Sequence, residues 1–360
     1  MATKKLKIGI IGTGNIAGQH FTHISKLEDV ELTCGADIVP SRAAEFFASR
    51  GSGARAYDCY KKMLEQEQLD CVTICTYNTT HADTAIAALE KGIHVLLEKP
   101  MSVTLDQAVE MARAEKASGK ILMVGFQPRY DRNMKKIKEI VQSGELGKIY
   151  YIQTGGGRRR NVPNRTFIEK ATAGTGALGD IGCYALDMVM NAIGYPKPIT
   201  ISGYTSDYFG SNPKYNNPKD AARFDVDDFA AGFVRLEGDI VLDFRTSWAM
   251  HPTTAGDTII FGTEGALRIP STETWNGAAS GPMVIHRDIA GSQVNVEIPL
   301  FPPMKEHLFY YKLREFVDAV RSGAPSPIPT REAVINQAII DGITRSAELG
   351  REVTVDIPEI

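Results

Sequence analysis

The sequence lacks the features that mark membrane proteins, nucleic-acid-binding proteins and secreted proteins. No apolar run approaches the roughly 18 residues that cross a bilayer, and the N-terminus shows neither a signal-peptide core nor a small-residue cleavage site. Acidic side chains (43) outnumber basic ones (40), which gives a net charge of −3, whereas nucleic-acid-binding proteins are usually basic. We therefore expect a cytoplasmic protein that binds neither nucleic acid nor a membrane.

Disulfide and metal motifs are also missing. The five cysteines are an odd number without paired spacing, which argues against a disulfide framework. Cys71 and Cys75 share one face of a strand-like run, and their spacing is not that of a Cys-x-x-Cys ligand pair, so we expect buried thiols. His20 and His23 are close in sequence but have no third ligand, so the sequence predicts no metal site.

The organisation of the chain indicates two domains, because 360 residues exceed one ordinary hydrophobic core. Strand and helix patterns alternate up to Gly125, which is typical of a doubly wound parallel α/β sheet. Later segments alternate apolar and polar residues, which predicts an α+β region with a large, mostly antiparallel open sheet. The predicted strands are 149–154, 200–205, 228–236, 240–248, 257–261 and 266–269. We place a Rossmann domain at 1–126 and a substrate-binding domain at 127–360, whose sheet predicts a homo-oligomer, either a dimer or a tetramer.

A glycine-rich turn follows the first predicted strand. The segment Gly12-Thr13-Gly14-Asn15-Ile16-Ala17 has the Gly-x-Gly-x-x-Ala spacing that places a dinucleotide pyrophosphate at a helix N-terminus. We therefore expect a cofactor contact from Gly12, Thr13, Gly14, Asn15 and Ile16.

An acidic residue ends the second predicted strand. Asp37 lies 23 residues after Gly14, where a carboxylate accepts hydrogen bonds from the ribose hydroxyls and repels a 2′-phosphate. NAD is therefore the favoured cofactor. Arg42 leaves NADP possible, because its guanidinium is close enough in sequence to meet that phosphate.

Several motifs in one order resemble the glucose–fructose oxidoreductase/inositol dehydrogenase/MocA family along essentially the whole chain. They are the glycine turn and the segments Cys75-Thr76-Tyr77-Asn78-Thr79-Thr80-His81, Glu98-Lys99-Pro100 and Gly179-Asp180-Ile181-Gly182-Cys183-Tyr184-Ala185-Leu186-Asp187. The resemblance implies an oxidoreductase that moves a hydride between nicotinamide and a carbinol or carbonyl of a sugar or polyol.

The resemblance also implies where the cofactor lies. It assigns cofactor contacts to Cys75, Thr76, Tyr77 and Asn78, to Glu98 on the ribose or amide side, and to His81, for which a helix-capping role stays open. Pro100 is expected to follow a cis peptide bond. Gln127, directly after the sixth strand, is also expected near the cofactor.

Three residues are expected to carry the chemistry. The resemblance implies that Lys99 binds the substrate hydroxyl and moves its proton, with a pKa lowered by burial and by the nearby nicotinamide. Asp180 and Tyr184 lie four residues apart and share a helix face, with Asp180 orienting the substrate or Lys99. Many family members have histidine where this chain has Tyr184, and a core tyrosine remains the alternative.

Other candidates for substrate contact are cations near the predicted cleft. The loop Arg158-Arg159-Arg160 offers bidentate hydrogen bonds to a sugar hydroxyl or carboxylate, and we single out Arg160, together with Arg129 and His307. A solvated loop is the alternative for any one arginine.

Two other functions stay open. One is a non-catalytic regulator that senses NAD or a sugar on the same fold. The other is an enzyme that retains its cofactor and uses hydride transfer transiently, as in family glycosidases and the oxidoreductase that exchanges two sugars.

Overall fold

The computed structural model describes residues 4–271 and 281–360. The N-terminal region forms a six-stranded parallel sheet in the order β3-β2-β1-β4-β5-β6. Its strands are β1 (Leu6–Ile11), β2 (Val30–Ala36), β3 (Arg55–Tyr57), β4 (Cys71–Ile74), β5 (His94–Leu97) and β6 (Leu122–Val124). The predicted doubly wound sheet is confirmed.

Helices connect these strands: α1 (Asn15–Ile24), α2 (Arg42–Ala48), α3 (Tyr60–Gln66), α4 (His81–Glu90) and α5 (Leu105–Ser118). The central strand β4 is buried at every position, as expected for a sheet covered on both faces. The strand order reverses between β1 and β4, and ligands of such sheets bind in the crevice beyond the carboxyl ends of the strands at this point.

The second sheet has nine strands in the order β14-β13-β12-β11-β7-β10-β9-β8-β15. They are β7 (Ile149–Gly155), β8 (Pro198–Ser206), β9 (Phe229–Leu236), β10 (Ile240–Ser247), β11 (Thr258–Gly262), β12 (Ala266–Ile269), β13 (Met283–Ile289), β14 (Ser292–Ile298) and β15 (Val353–Thr354). Among the described strands of this sheet, only β7 and β10 pair in parallel, so the mostly antiparallel sheet is confirmed. The alternation pattern predicted β7 to β12 and missed the last three strands.

The remaining helices cover this sheet and join it to the first one. They are α6 (Arg132–Gln142), α7 (Lys170–Ala173), α8 (Cys183–Ile193), α9 (Pro218–Ala221), α10 (Leu308–Ser322) and α11 (Thr330–Leu349). Helix α8 is buried along nearly its whole length, because it packs against β7, α6 and α11. No helix in residues 4–271 and 281–360 is both long and apolar enough to span a membrane.

Candidate active site

The glycine turn forms the floor of the crevice between β1 and β4. Gly12 has a φ of +86°, and a Cβ there would lie 2.6 Å from the carbonyl oxygen of Cys75, so only glycine fits. A Cβ on Gly14 would meet no atom within 4 Å. The space next to the N-terminus of α1 is therefore open, and the turn fits a pyrophosphate bound through backbone N–H groups.

Asp37 organises this turn. Its Oδ2 accepts hydrogen bonds from the backbone N–H (2.8 Å) and hydroxyl (2.9 Å) of Thr13, and its Oδ1 accepts one from the N–H of Val39 at 2.9 Å. Arg42 Nη1 lies 3.6 Å from Oδ1. A carboxylate has about four acceptor positions, so Asp37 retains capacity for a ribose hydroxyl while it holds the turn.

A cavity of about 220 Å³ opens beside Asp37. Its walls include the predicted residues Gly12, Gly14, Arg42, Cys75, Thr76 and Tyr77. Sequence reasoning missed several other wall residues: Ile38, Asp58, Cys59, Tyr60 and Thr84. The cavity therefore continues the pyrophosphate turn with the surface that an adenosine group needs.

The segment after β4 joins the two sheets. Asn78 Nδ2 donates to the carbonyl oxygen of Ala173 at 2.9 Å, so its amide tethers α7. His81 is buried, and its Nδ1 lies 2.8 Å from the carbonyl oxygen of Pro100. Among the described residues, its buried Nε2 has no partner.

Glu98 is held by two cationic or polar partners. Its Oε1 lies 2.7 Å from His20 Nε2 and also accepts from Lys312 Nζ. Burial raises the pKa of Glu98, but the charges and hydrogen bonds of Lys312 and His20 together outweigh burial and hold that pKa below its usual range. No hydrogen bond to Oε2 is found within the described ranges, so Oε2 is the oxygen available to a cofactor. No sequence pattern indicated His20 or Lys312 as partners of Glu98.

Lys99 and Asp180 form a buried ion pair. Lys99 Nζ donates to Asp180 Oδ1 at 2.8 Å and to the Asp180 carbonyl oxygen at 2.9 Å, and only 16% of either side chain is exposed. The peptide bond between Lys99 and Pro100 is cis, as the resemblance implied.

The pKa of Lys99 is raised above its ordinary value, so the expectation of a lowered pKa is wrong. Burial lowers this pKa most strongly, but the charge and hydrogen bond of Asp180, together with the nearby Tyr184 and Cys183, outweigh burial. The reverse holds for Asp180, since burial raises its pKa and Lys99 holds the pKa below its usual value. Trp248, which sequence reasoning missed, donates from Nε1 to Asp180 Oδ2 at 3.0 Å. Asp180 therefore orients Lys99.

Tyr184 lies on the other side of Lys99. Lys99 Nζ is 5.1 Å from the centroid of the Tyr184 ring, and the Tyr184 hydroxyl accepts a hydrogen bond from Gln127 Nε2 at 2.7 Å. Burial raises the pKa of Tyr184 above its ordinary value. The phenol is therefore protonated at neutral pH, and with the oxygen accepting from Gln127 its own O–H is free to donate.

An irregular turn places Asp180 and Tyr184 together. A π-helical segment, Leu178–Gly182, precedes α8, and such segments recur at functional sites. Asp227 accepts from the N–H groups of Gly176 (2.7 Å) and Leu178 (2.8 Å). A Cβ on Gly176 would lie 1.8 Å from the Asp227 carbonyl oxygen. The backbone at Gly176 therefore approaches Asp227 as closely as only glycine allows.

Two residues predicted to contact substrate have structural roles. Arg129 is buried and paired with Asp187 and Glu332, and Tyr195 accepts a further hydrogen bond from it at 2.6 Å, so most of its five N–H donors are already bound. His307 is the N-cap of α10 and stacks on His23 with ring centroids 5.4 Å apart, which gives both rings a packing role.

In the arginine loop, Arg158 rather than the predicted Arg160 influences the catalytic pair. Arg160 stacks over Phe209 and donates to the carbonyl oxygen of Met250, so its direct contact with a reacting sugar is not supported. Arg158 Nε is buried without a hydrogen-bond partner in the described chain. Burial raises the pKa of Asp180, and the charges of Lys99 and Arg158 both lower it. Arg158 is therefore the better candidate for substrate contact.

No cluster of three or more His, Cys, Asp or Glu side chains suited to a metal ion is found in residues 4–271 and 281–360. The groups that converge on the cleft are Lys99, Asp180, Tyr184, Gln127 and Arg158. They supply proton donors and acceptors at the carboxyl edge of the parallel sheet, next to the dinucleotide crevice.

Comparisons with known proteins agree with this geometry. Residues 6–126 match the model of the oxidoreductase family with an NAD-binding Rossmann fold, and residues 134–268 match the Gfo/Idh/MocA C-terminal domain. The D-glucoside 3-dehydrogenase of Escherichia coli is 26% identical over 357 residues, 98% of each chain. The scyllo-inositol 2-dehydrogenase (NAD(+)) of Bacillus subtilis is 26% identical over 359 residues, 98% of this chain and 97% of the relative.

Solved structures share the fold. A levoglucosan dehydrogenase in complex with NADH and L-sorbose superposes with a TM-score of 0.82 at 22% identity, covering 99% of this chain and 100% of that one. The aldose–aldose oxidoreductase of Caulobacter crescentus gives a TM-score of 0.77 at 21% identity, covering 98% and 100%. The chain belongs to the Gfo/Idh/MocA family of oxidoreductases, and residues 6–126 are its NAD-binding Rossmann domain.

Proposed function

We propose that this oxidoreductase is an NAD-dependent dehydrogenase that oxidises a secondary hydroxyl of a sugar or polyol, or reduces the corresponding carbonyl. The observation that carries the proposal is the buried Lys99–Asp180 pair beside Tyr184, at the edge of the crevice that Gly12, Gly14 and Asp37 shape for the dinucleotide. The bound nicotinamide supplies the hydride acceptor or donor. The named relatives that act on glucosides and inositols support the substrate class.

The proton is handled by Lys99 and Tyr184. An ammonium group has three N–H donors, and Asp180 takes two of those of Lys99, which leaves the third for a substrate oxygen. The Tyr184 O–H donates to the same oxygen and fixes its position. In the reducing direction Lys99 gives its proton to the developing alkoxide, and in the oxidising direction the neutral amine accepts the proton of the hydroxyl.

The raised pKa of Lys99 sets the pH dependence. Because Asp180 holds Lys99 protonated, the neutral amine is scarce at neutral pH. Oxidation is therefore expected to accelerate as the pH rises, and reduction is favoured at lower pH.

NAD is the proposed physiological cofactor, with the Asp37 carboxylate rather than Arg42 facing the adenosine ribose. The five cysteines are all unpaired thiols, which supports the proposed cytoplasmic location. We also propose a homo-oligomer formed through the nine-stranded sheet, where Tyr204 on β8 is 60% exposed and Phe233 on β9 is 42% exposed.

A substrate screen tests the function. Purified protein is mixed with sugars, polyols or sugar acids and with NAD or NADP, and the absorbance of the reduced nicotinamide is followed. Turnover of at least one sugar or polyol with NAD is expected. NAD binding without turnover of any compound would instead indicate a sensor. Cofactor that stays bound through dialysis, with no net reduction, would indicate a transient hydride transfer.

A further inference from the structure

Four aromatic rings meet near the catalytic pair, and the proposed chemistry does not use them. We call them the aromatic cluster: Tyr208, Phe209, Tyr215 and His251. Phe209 lies 5.2 Å from Tyr208, 5.0 Å from Tyr215 and 5.3 Å from His251 between ring centroids. Tyr208 is 58% exposed. Rings of this size are usually withdrawn from water, and exposed apolar clusters mark binding surfaces.

The cluster is held firmly by a buried carboxylate. Asp228 is fully buried, and its Oδ2 accepts hydrogen bonds at 2.6 Å from the backbone N–H groups of Phe209 and Gly210. Arg160 packs over the rings of Phe209 and Tyr215 at 4.3 and 5.1 Å. These contacts fix the loop that carries the rings, so the cluster is a preformed surface.

The same backbone supports both the cluster and the catalytic pair. The carbonyl oxygen of Asp228 accepts from the N–H of Trp248 at 2.8 Å, and the Trp248 indole holds Asp180 at 3.0 Å. His251 follows Trp248 by three residues, so their Cα atoms are at most about 11 Å apart. The segment 248–251 therefore carries both a contact of the catalytic pair and one ring of the cluster.

The surface combines apolar faces with polar edges. Neither phenol oxygen of Tyr208 or Tyr215 has a hydrogen-bond partner within the described ranges, and the Arg160 guanidinium adds a cation at the rim. A sugar ring has the matching chemistry, with an apolar face of C–H groups and a polar edge of hydroxyls. An aryl ring matches the faces alone.

We propose that the aromatic cluster binds the aglycone of a glycoside, a second ring attached to the sugar that reacts at Lys99. This inference rests on the proposed dehydrogenase function and names a class of its substrates. Binding energy from such a remote ring orients the reacting carbon, and loss of one aromatic contact is expected to weaken binding between about twofold and tenfold.

Saturation-transfer NMR tests the proposal without requiring turnover. The probe is phenyl β-D-glucopyranoside with full-length protein and NADH, compared between wild type, Tyr208→Ala and Tyr215→Ala. The matched control is Phe301→Ala, because Phe301 is also an exposed aromatic residue, at 41%, and lies outside both the cluster and the nine-stranded sheet. The phenyl protons are expected to receive the strongest saturation in wild type and in the control, and at least twofold less in the two cluster variants.

A kinetic comparison tests the aglycone subsite separately from the proposed dehydrogenase function. The ratio of kcat/KM for phenyl β-D-glucopyranoside to kcat/KM for glucose is expected to fall twofold to tenfold in Tyr208→Ala. Turnover of both compounds with an unchanged ratio, or phenyl protons without saturation in wild type, overturns the subsite and leaves the dehydrogenase intact. Strong phenyl saturation without turnover of any sugar overturns the dehydrogenase. A change in mass by light scattering in Tyr208→Ala, with phenyl saturation unchanged, assigns the cluster to an interface between copies and overturns the subsite.

Discussion

Replacing Asp180 by asparagine removes the negative charge that keeps Lys99 protonated. The two charges are 2.8 Å apart, and at an effective dielectric constant of about 20 they attract each other by about 6 kcal/mol. Divided by 1.36 kcal/mol per pH unit, this corresponds to about 4 units of pKa. The asparagine oxygen and the Asp180 carbonyl oxygen still accept from Lys99, so about 2 to 4 units is the expected fall in its pKa.

The sign of the effect on activity follows from the protonation states. Oxidation requires the neutral amine of Lys99, so the rise of kcat/KM with pH moves to lower pH when the pKa falls. In Asp180→Asn this rise is expected about 2 to 4 units below its position in wild type. Reduction, which uses the protonated amine, loses activity over the same range.

The assay is the pH profile of kcat/KM for oxidation of the sugar that the screen identifies. Trp248→Phe serves as the matched control, because it removes the hydrogen bond to Asp180 Oδ2 and keeps the charge. Its profile is expected to rise near the wild-type pH. A profile that does not move in Asp180→Asn, or that moves as far in Trp248→Phe, refutes the assignment of Lys99 as the proton carrier held by Asp180.

Three further predictions follow from the crevice and the catalytic turn. Cys59 is half-buried beside the adenosine cavity, whereas burial raises the pKa of the Cys34 thiol to about 11. A disulfide reagent at mild pH is therefore expected to modify Cys59 first, and NADH is expected to protect it. Labelling that NADH does not slow would contradict this position of the cofactor. Asp37→Ala is expected to weaken NAD binding by about 10- to 100-fold, the value of hydrogen bonds to a charged group, and to raise the relative affinity for NADP, as measured by fluorescence titration. An unchanged preference would exclude Asp37 as the discriminating residue. Gly176→Ala is expected to lower the melting temperature, because its Cβ would lie 1.8 Å from a backbone oxygen, and a wild-type melting curve would show that the turn relaxes freely.

Short sequence motifs predicted the parts of the site that depend on neighbouring residues, namely the glycine turn and the residues that follow β2 and β5. The Gly12–Gly14 turn, Asp37 at the end of β2 and Lys99 after β5 all depend on residues within a few positions of one another. The parallel topology then brings these strand ends to one edge of the sheet. Strand alternation likewise predicted β7 to β12 to within two residues.

The errors arise where a distant residue decides the role of a local one. Arg129 was expected at the substrate, but Asp187 and Glu332 bind its guanidinium from 58 and 203 residues away. The pKa of Lys99 was expected to fall through burial, but Asp180, 81 residues away, reverses the sign. Single-sequence patterns contain no signal for such pairings.

Trp248 is a second case in which a contact between distant residues has no signal in the local sequence. It directly follows β10, and its hydrogen bond to Asp180 joins residues that are 68 positions apart in the sequence. The strands β13 and β14 were missed for a simpler reason. The prediction ended at Ile269, although β14 alternates Val294, Val296 and Ile298 with polar residues, which is the pattern that indicates a strand.

The most direct test of the central claim is the turnover number of the identified substrate in Lys99→Met and Tyr184→Phe, each compared with wild type. Arg159→Gln is the control, because Arg159 is an exposed arginine next to the catalytic cleft with no assigned role there. General acid–base groups contribute about 10²- to 10⁴-fold, so both variants are expected to lose at least about 100-fold in kcat while NADH binding persists. A kcat that stays at the wild-type value in either variant would contradict the account.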